Sequence, residues 1–100
     1  MSPPGASDAA PAPVEHDRAA GRFWARVDGQ LCVCDYRLQG DTVMFTHTEV
    51  PPALAGRGLA ARLVQVALDW ARAEGLKVRP LCSYVAAYLR RHPDQQDLLR

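Results

Sequence analysis

Cys82 is the strongest candidate for nucleophilic chemistry in the chain. It lies where a short apolar strand ends and a helix begins, and a thiol at a helix N-terminus has its thiolate favoured by the helix dipole. The alternative is a small, inert cysteine at a packed junction. His47 and Glu49 alternate onto one face of a strand and are candidates for a general base. Tyr84 and Tyr88, one helical turn apart, are candidates for a general acid. The other reading of these pairs is a solvated strand face for the first and core contacts for the second. Cys32 and Cys34 share a strand face, but two thiols with no further Cys and no nearby His pair make a poor metal site. They read as packing residues, and no metal is expected.

The segment Val50-Pro51-Pro52 through Ala60 carries more backbone signals than a simple connection needs. A helix N-terminus offers unpaired amide hydrogens and a partial positive charge, which together bind anions. Gly56 and Gly58 remove side chains that would hold a phosphate away from those amides. Alternatively, both glycines only permit a tight turn. Gly56-Arg57-Gly58-Leu59-Ala60-Ala61 formally matches the dinucleotide fingerprint G-x-G-x-x-G/A, yet Pro51 to Ala55 separate it from the strand it should follow directly. The nucleoside-triphosphate loop G-x-x-x-x-G-K-[ST] is absent.

These residues must be positioned by the elements around them. Residues 1–20, with Pro3, Pro4, Pro11 and Pro13 among Ala, Ser and Asp, show no apolar periodicity and are expected to be a disordered tail. Residues 21–100 are expected to form one domain. Phe23, Ala25 and Val27 alternate with Arg22, Trp24 and Arg26, and Asp28-Gly29 supplies a tight hairpin turn. A second strand, Gln30 to Gln39, sets Cys32, Cys34, Tyr36 and Leu38 on one face and Leu31 and Val33 on the other. A third, Thr42 to Val50, stops at two prolines that lack an amide hydrogen.

The period then changes to that of a helix. Leu59, Leu63, Val66 and Trp70 form an apolar stripe with Ala60, Ala67 and Ala71 beside it, while Arg62, Gln65, Asp69 and Arg72 face away. Gly75 is the expected left-handed cap. A short strand over Leu76 to Leu81 follows, and Ser83 is the expected N-cap of a second helix ending near Arg91. Asp94 to Arg100 either docks or frays. A strand-helix-strand crossover makes its two strands parallel. The expected fold is therefore α+β: a two-layer single domain with a mixed sheet, an antiparallel meander followed by strand, helix, strand, helix.

Composition limits the function classes. A chain of 100 residues with net charge +1 has no global charge that calls for nucleic acid or an anionic membrane. Arg90-Arg91 is the only adjacent basic pair, which also argues against nucleic acid. No apolar run reaches a membrane span, and the N-terminus lacks the order of a secretory signal, so a soluble, cytoplasmic protein is expected. Cys32, Cys34 and Cys82 are odd in number and widely split, and read as free thiols.

The run Ala55-Gly56-Arg57-Gly58-Leu59-Ala60 after Val50-Pro51-Pro52 resembles the coenzyme A-binding segment Q/R-x-x-G-x-G/A of the GCN5-related N-acetyltransferases. Gly58 and Ala60 fill its last two defined positions, and Ala55 departs from it in the Q/R slot. The stretch "PLCSYVAAYLRRHP", Pro80 to Pro93, is similar to the matching segment of the minimal, roughly hundred-residue members of that superfamily. The joint resemblance covers about Arg22 to Arg100. It implies acetyl-coenzyme A as substrate, with its pantetheine arm on free backbone near Val50 and its pyrophosphate on amides from Gly56 to Ala60. Arg57 or Arg62 would add a phosphate contact. The thioester would point into a gap between the third and fourth expected strands, where Cys82 takes the acetyl group covalently. In direct transfer, Glu49 or His47 would instead deprotonate the amine, and Tyr84 or Tyr88 would protonate the departing thiolate. The implied acceptor is a small amine or a protein amine. The alternative function is a non-catalytic coenzyme A-binding or protein-interaction module.

Overall fold

The structure, a computed structural model, describes residues 12–100. A single five-stranded sheet, in the order β1-β2-β3-β4-β5, comprises Glu15–Asp17, Arg22–Val27, Gln30–Gln39, Thr42–Glu49 and Lys77–Pro80. β1, β2, β3 and β4 pair antiparallel in succession, and β5 pairs parallel to β4. Between β4 and β5 the chain makes a short 3-10 turn, Pro52–Leu54, and helix α1, Leu59–Ala73. Helix α2, Ser83–Arg91, follows β5, and a 3-10 segment over Pro93–Leu98 ends near β5, where Leu99 bridges Val78. The mixed-sheet α+β architecture matches the expectation, and the C-terminal residues dock rather than fray.

The meander has one strand more than expected. Glu15–Asp17, assigned from sequence to the tail, forms the edge strand β1, with His16 opposite Phe23. The His16 ring stacks on Phe23 at 3.9 Å, and its Nε2 lies 2.6 Å from the Tyr36 hydroxyl. A single half-apolar residue between two charged ones makes no periodic signal, because its anchoring is tertiary. Residues 1–11 of the expected tail lie outside the described residues.

Local backbone chemistry sets the turns. Asp28 and Gly29 both take positive φ, as a two-residue hairpin turn requires. At the end of α1, Gly75 N–H donates to Arg72 and Leu76 N–H donates to Ala71, the paired bonds of a left-handed helix stop. One core fills the space between the sheet and the helices: Phe23, Cys32, Cys34, Tyr36, Val43 and Phe45 from the strands meet Leu63, Val64, Ala67 and Leu68 of α1 and Val85 and Leu89 of α2. Ser83 is the first residue of α2 rather than its cap. Cys82 holds the N-cap position in extended conformation, with no side-chain capping bond. No helix among the described residues is long and apolar enough to cross a membrane.

Candidate functional site

Two features of the main chain build the site, and the first is the loop before α1. Gly58 caps the helix in left-handed conformation, at φ +76°, and makes no side-chain cap bond. The first helical bond runs from Arg62 N–H to the Gly58 carbonyl, so the N–H groups from Gly58 to Ala61 have no partner within the helix. A Cβ built at Gly56 or Gly58 would meet nothing within 4 Å. Positive φ, not crowding, demands glycine there, and the backbone is open to an approaching anion. The donors line a cleft of about 330 Å³ whose walls include Val50, Leu54, Leu59 and Tyr84.

The second feature is a parting of β4 from β5. Their pairing ends at Phe45 opposite Pro80, after which both Leu81 and Cys82 donate their N–H to the Phe45 carbonyl, at 3.0 and 2.9 Å. β4 runs on to Glu49 while β5 stops, so its edge from Thr46 onward faces a gap. A β-bulge lies at the same level. Tyr36 pairs with Phe45 but Asp35 pairs with His47, which leaves Thr46 as an inserted residue.

The bulge sets which way the side chains of β4 face. Residues directly opposite across an antiparallel pair share a face. Thr48 lies opposite Cys34, on the helix-covered face, whereas His47 and Glu49 lie opposite Asp35 and Val33, on the outer face. His47 Nε2 and Glu49 Oε1 are 3.0 Å apart, and both side chains are exposed. They are therefore turned away from the face that holds Cys82.

Cys82 is half-buried, with its Sγ 3.5 Å from Thr48 Oγ1; the same hydroxyl lies 3.9 Å from Cys34 Sγ. Burial opposes ionisation of Cys82. The Thr48 hydroxyl and the N–H groups of Val85, Tyr84 and Thr48, which lie near the sulfur although none of the helix amides completes a capping hydrogen bond to it, outweigh burial, and the thiol titrates below its ordinary value. Cys34 behaves in the opposite way: burial pushes it up to about 12, so it stays a neutral thiol. Cys32 and Cys34 are fully buried in the core.

The remaining candidates separate. Val50, Ala55, Gly56, Gly58, Leu59, Ala60 and Tyr84 lie together around the cleft or at its edge. Tyr88 does not line it: its hydroxyl donates to Gln65 of α1, its ring stacks on His92, and burial raises its pKa. Arg57 pairs with Asp28 at 3.0 Å, and Arg62 donates to the Ala12 carbonyl, so each guanidinium already has a protein partner. Thr48 and Leu54 were not singled out from sequence. Leu54 carried a signal, as the only large apolar residue between the prolines and the glycines. Thr48 carried none, because regular alternation from Phe45 points it outward.

Comparison with known proteins gives these features a context. A family model described as GCN5-related N-acetyl-transferase matches residues 22–98. Protein NATD1 of Xenopus tropicalis is 40% identical over 90 residues, spanning 87% of this chain and 83% of that protein. Protein NATD1 of Mus musculus is 38% identical over 103 aligned positions, spanning 99% and 94% respectively. The NMR solution structure of a GCN5-like protein from Staphylococcus aureus superposes with a TM-score of 0.73, covering 89% of this chain and 88% of that one at 23% identity, a likeness of fold. The chain belongs to the GCN5-related N-acetyltransferase family, as one of its small NATD1-like domains.

Proposed function

We propose that the protein binds acetyl-coenzyme A in the cleft and transfers its acetyl group to an amine through Cys82. The diphosphate sits on the amides from Gly56 to Ala60, where open backbone and the positive end of α1 coincide. The pantetheine arm runs along the free β4 edge beside Val50, which brings the thioester to the gap between β4 and β5. The Cys82 thiolate attacks the thioester carbonyl carbon, forming a new carbon–sulfur bond as coenzyme A leaves and takes a proton from solvent. The amine then attacks the acetyl-cysteine, loses a proton to water and restores the Cys82 thiolate. A free thiol of this kind fits the reducing cytoplasm.

The observation that carries this reading is the convergence on one sulfur of the strand parting, a helix N-terminus and the Thr48 hydroxyl. Direct transfer is served less well, because His47 and Glu49 are on the other face of the sheet. A binding module without turnover is the second reading. It is favoured by Ala55 in the Q/R slot of the loop and by the partners already held by Arg57 and Arg62. Intact mass after incubation with acetyl-coenzyme A separates the two. One acetyl group is expected on the wild-type chain and none on Cys82→Ala. No adduct, together with no thiol release in the presence of a panel of amines, establishes the binding module instead.

A further inference from the structure

We propose that Thr48 is a positioning residue for Cys82, its hydroxyl switching from Cys34 to the Cys82 sulfur when that thiol ionises. The proposal rests on the covalent reading above but is tested separately from it.

The geometry places one hydroxyl between two sulfurs of unlike character. In the resting arrangement the Cys82 thiol donates to Thr48 Oγ1 at 3.5 Å, while the Thr48 proton points to Cys34 Sγ at 3.9 Å. Cys34 is fully buried and stays neutral, so it is a weak acceptor that the hydroxyl gives up readily. When Cys82 loses its proton to solvent, Thr48 keeps its own proton and only turns it, since a hydrogen bond to a charged acceptor is about twice as strong as one to a neutral group. Cys34 thus keeps the hydroxyl oriented between the sulfurs until the thiolate forms. The groups facing Cys82 are Cys34 on β3, Thr48 on β4, and the N–H groups of Tyr84 and Val85 on α2. Among the described residues, no charged side chain hydrogen-bonds its sulfur. The polar hydroxyl is therefore the one side-chain device at hand for favouring the thiolate.

The test follows the rate of alkylation of Cys82 by iodoacetamide against pH, with mass mapping of the modified peptide, in wild type, Thr48→Val and Thr48→Ser. Valine keeps the branched shape and removes the hydroxyl. The expected result is an upward shift of the thiol titration in Thr48→Val, with the thiolate fraction at neutral pH falling about tenfold. Thr48→Ser should return the profile to that of wild type. A Thr48→Val profile that tracks wild type overturns the proposal, as does a serine variant as displaced as the valine one. The acetyl-adduct measurement keeps the two readings distinct. A shifted Thr48→Val profile in a protein whose Cys82 takes no acetyl group leaves the Thr48 assignment standing and removes covalent transfer. An adduct with an unshifted profile gives the reverse.

Discussion

Replacing Gly58 by alanine separates what the loop does for a ligand from what it does for the fold. Gly58 sits at φ +76° and Gly75, at the other end of α1, at φ +71°, and an added Cβ meets nothing within 4 Å at either position. The two substitutions therefore carry the same backbone strain, about 1–2 kcal/mol for a non-glycine residue in the left-handed region. Each should lower the melting temperature by about 4–8 °C per kcal/mol, the scale for a domain of this size. The helix between them is 15 residues long, roughly 22 Å, so the two sites lie beyond its opposite ends. Only Gly58 borders the cleft. If the amides there hold a diphosphate, displacing one charge-assisted hydrogen bond loses about 1.5–3 kcal/mol, or roughly tenfold or more in affinity. Titration calorimetry with coenzyme A on both variants and wild type reads this directly. The expected outcome is matched melting curves and weakened binding in Gly58→Ala alone. Unchanged affinity in Gly58→Ala refutes the amide cradle, and an equal loss in Gly75→Ala refutes its locality.

Gly21 should be less forgiving. A Cβ there would lie 2.4 Å from the Tyr36 carbonyl oxygen, a backbone atom with no room to yield, so Gly21→Ala should exceed the Gly75→Ala loss by at least about 1 kcal/mol in denaturant midpoints. Equal losses would show that the β1–β2 turn relaxes. His16 should give a pH signature of its own. Burial, and then Arg18, hold its pKa below the ordinary 6.5, with Asp17 and Glu74 opposing, so the native state resists its protonation. Its contribution is complete above 6.5 and declines as pH falls through the lower folded value. Urea midpoints at about pH 7.5 and about pH 5 should differ more in wild type than in His16→Gln, and an identical difference would rule out His16 as the source.

Legibility in the sequence followed the range of the interaction. Asp28-Gly29 and Gly75 were readable because positive φ is a demand of the local backbone, met by these residues whatever surrounds them. The glycines before α1 were readable for the same reason, and most of the cleft lining came with them. β1 was not: His16 is held by stacking on Phe23 and by the Tyr36 hydroxyl, both distant in sequence. Gln65 was expected to face solvent, yet it accepts from Tyr88 and is contacted by Gln95, because α2 and the segment after it pack beside that face of α1. Tyr84 and Tyr88 share a helix face, and only the placement of α1 decides that one borders the cleft while the other enters the core.

The bulge at Thr46 ties these outcomes together. Had β4 kept strict alternation from Phe45, His47 and Glu49 would point beneath the helices, beside the Cys34 and Tyr36 layer. A carboxylate there would need a compensating partner or a proton, at a loss of several kcal/mol. One inserted residue turns both ionisable groups to the outer face, where they pair with each other, and turns Thr48 inward between Cys34 and Cys82. It does so at the level where β5 ends and the Phe45 carbonyl collects the Leu81 and Cys82 amides. The parting of the strands and the polar contact on the thiol thus fall at one level of the sheet. A register change of one residue removes an acid–base pair from the helix-covered face and supplies in its place a hydroxyl that can follow the charge of a sulfur. This facing is the basis on which we propose a cysteine intermediate rather than direct proton abstraction by His47 or Glu49.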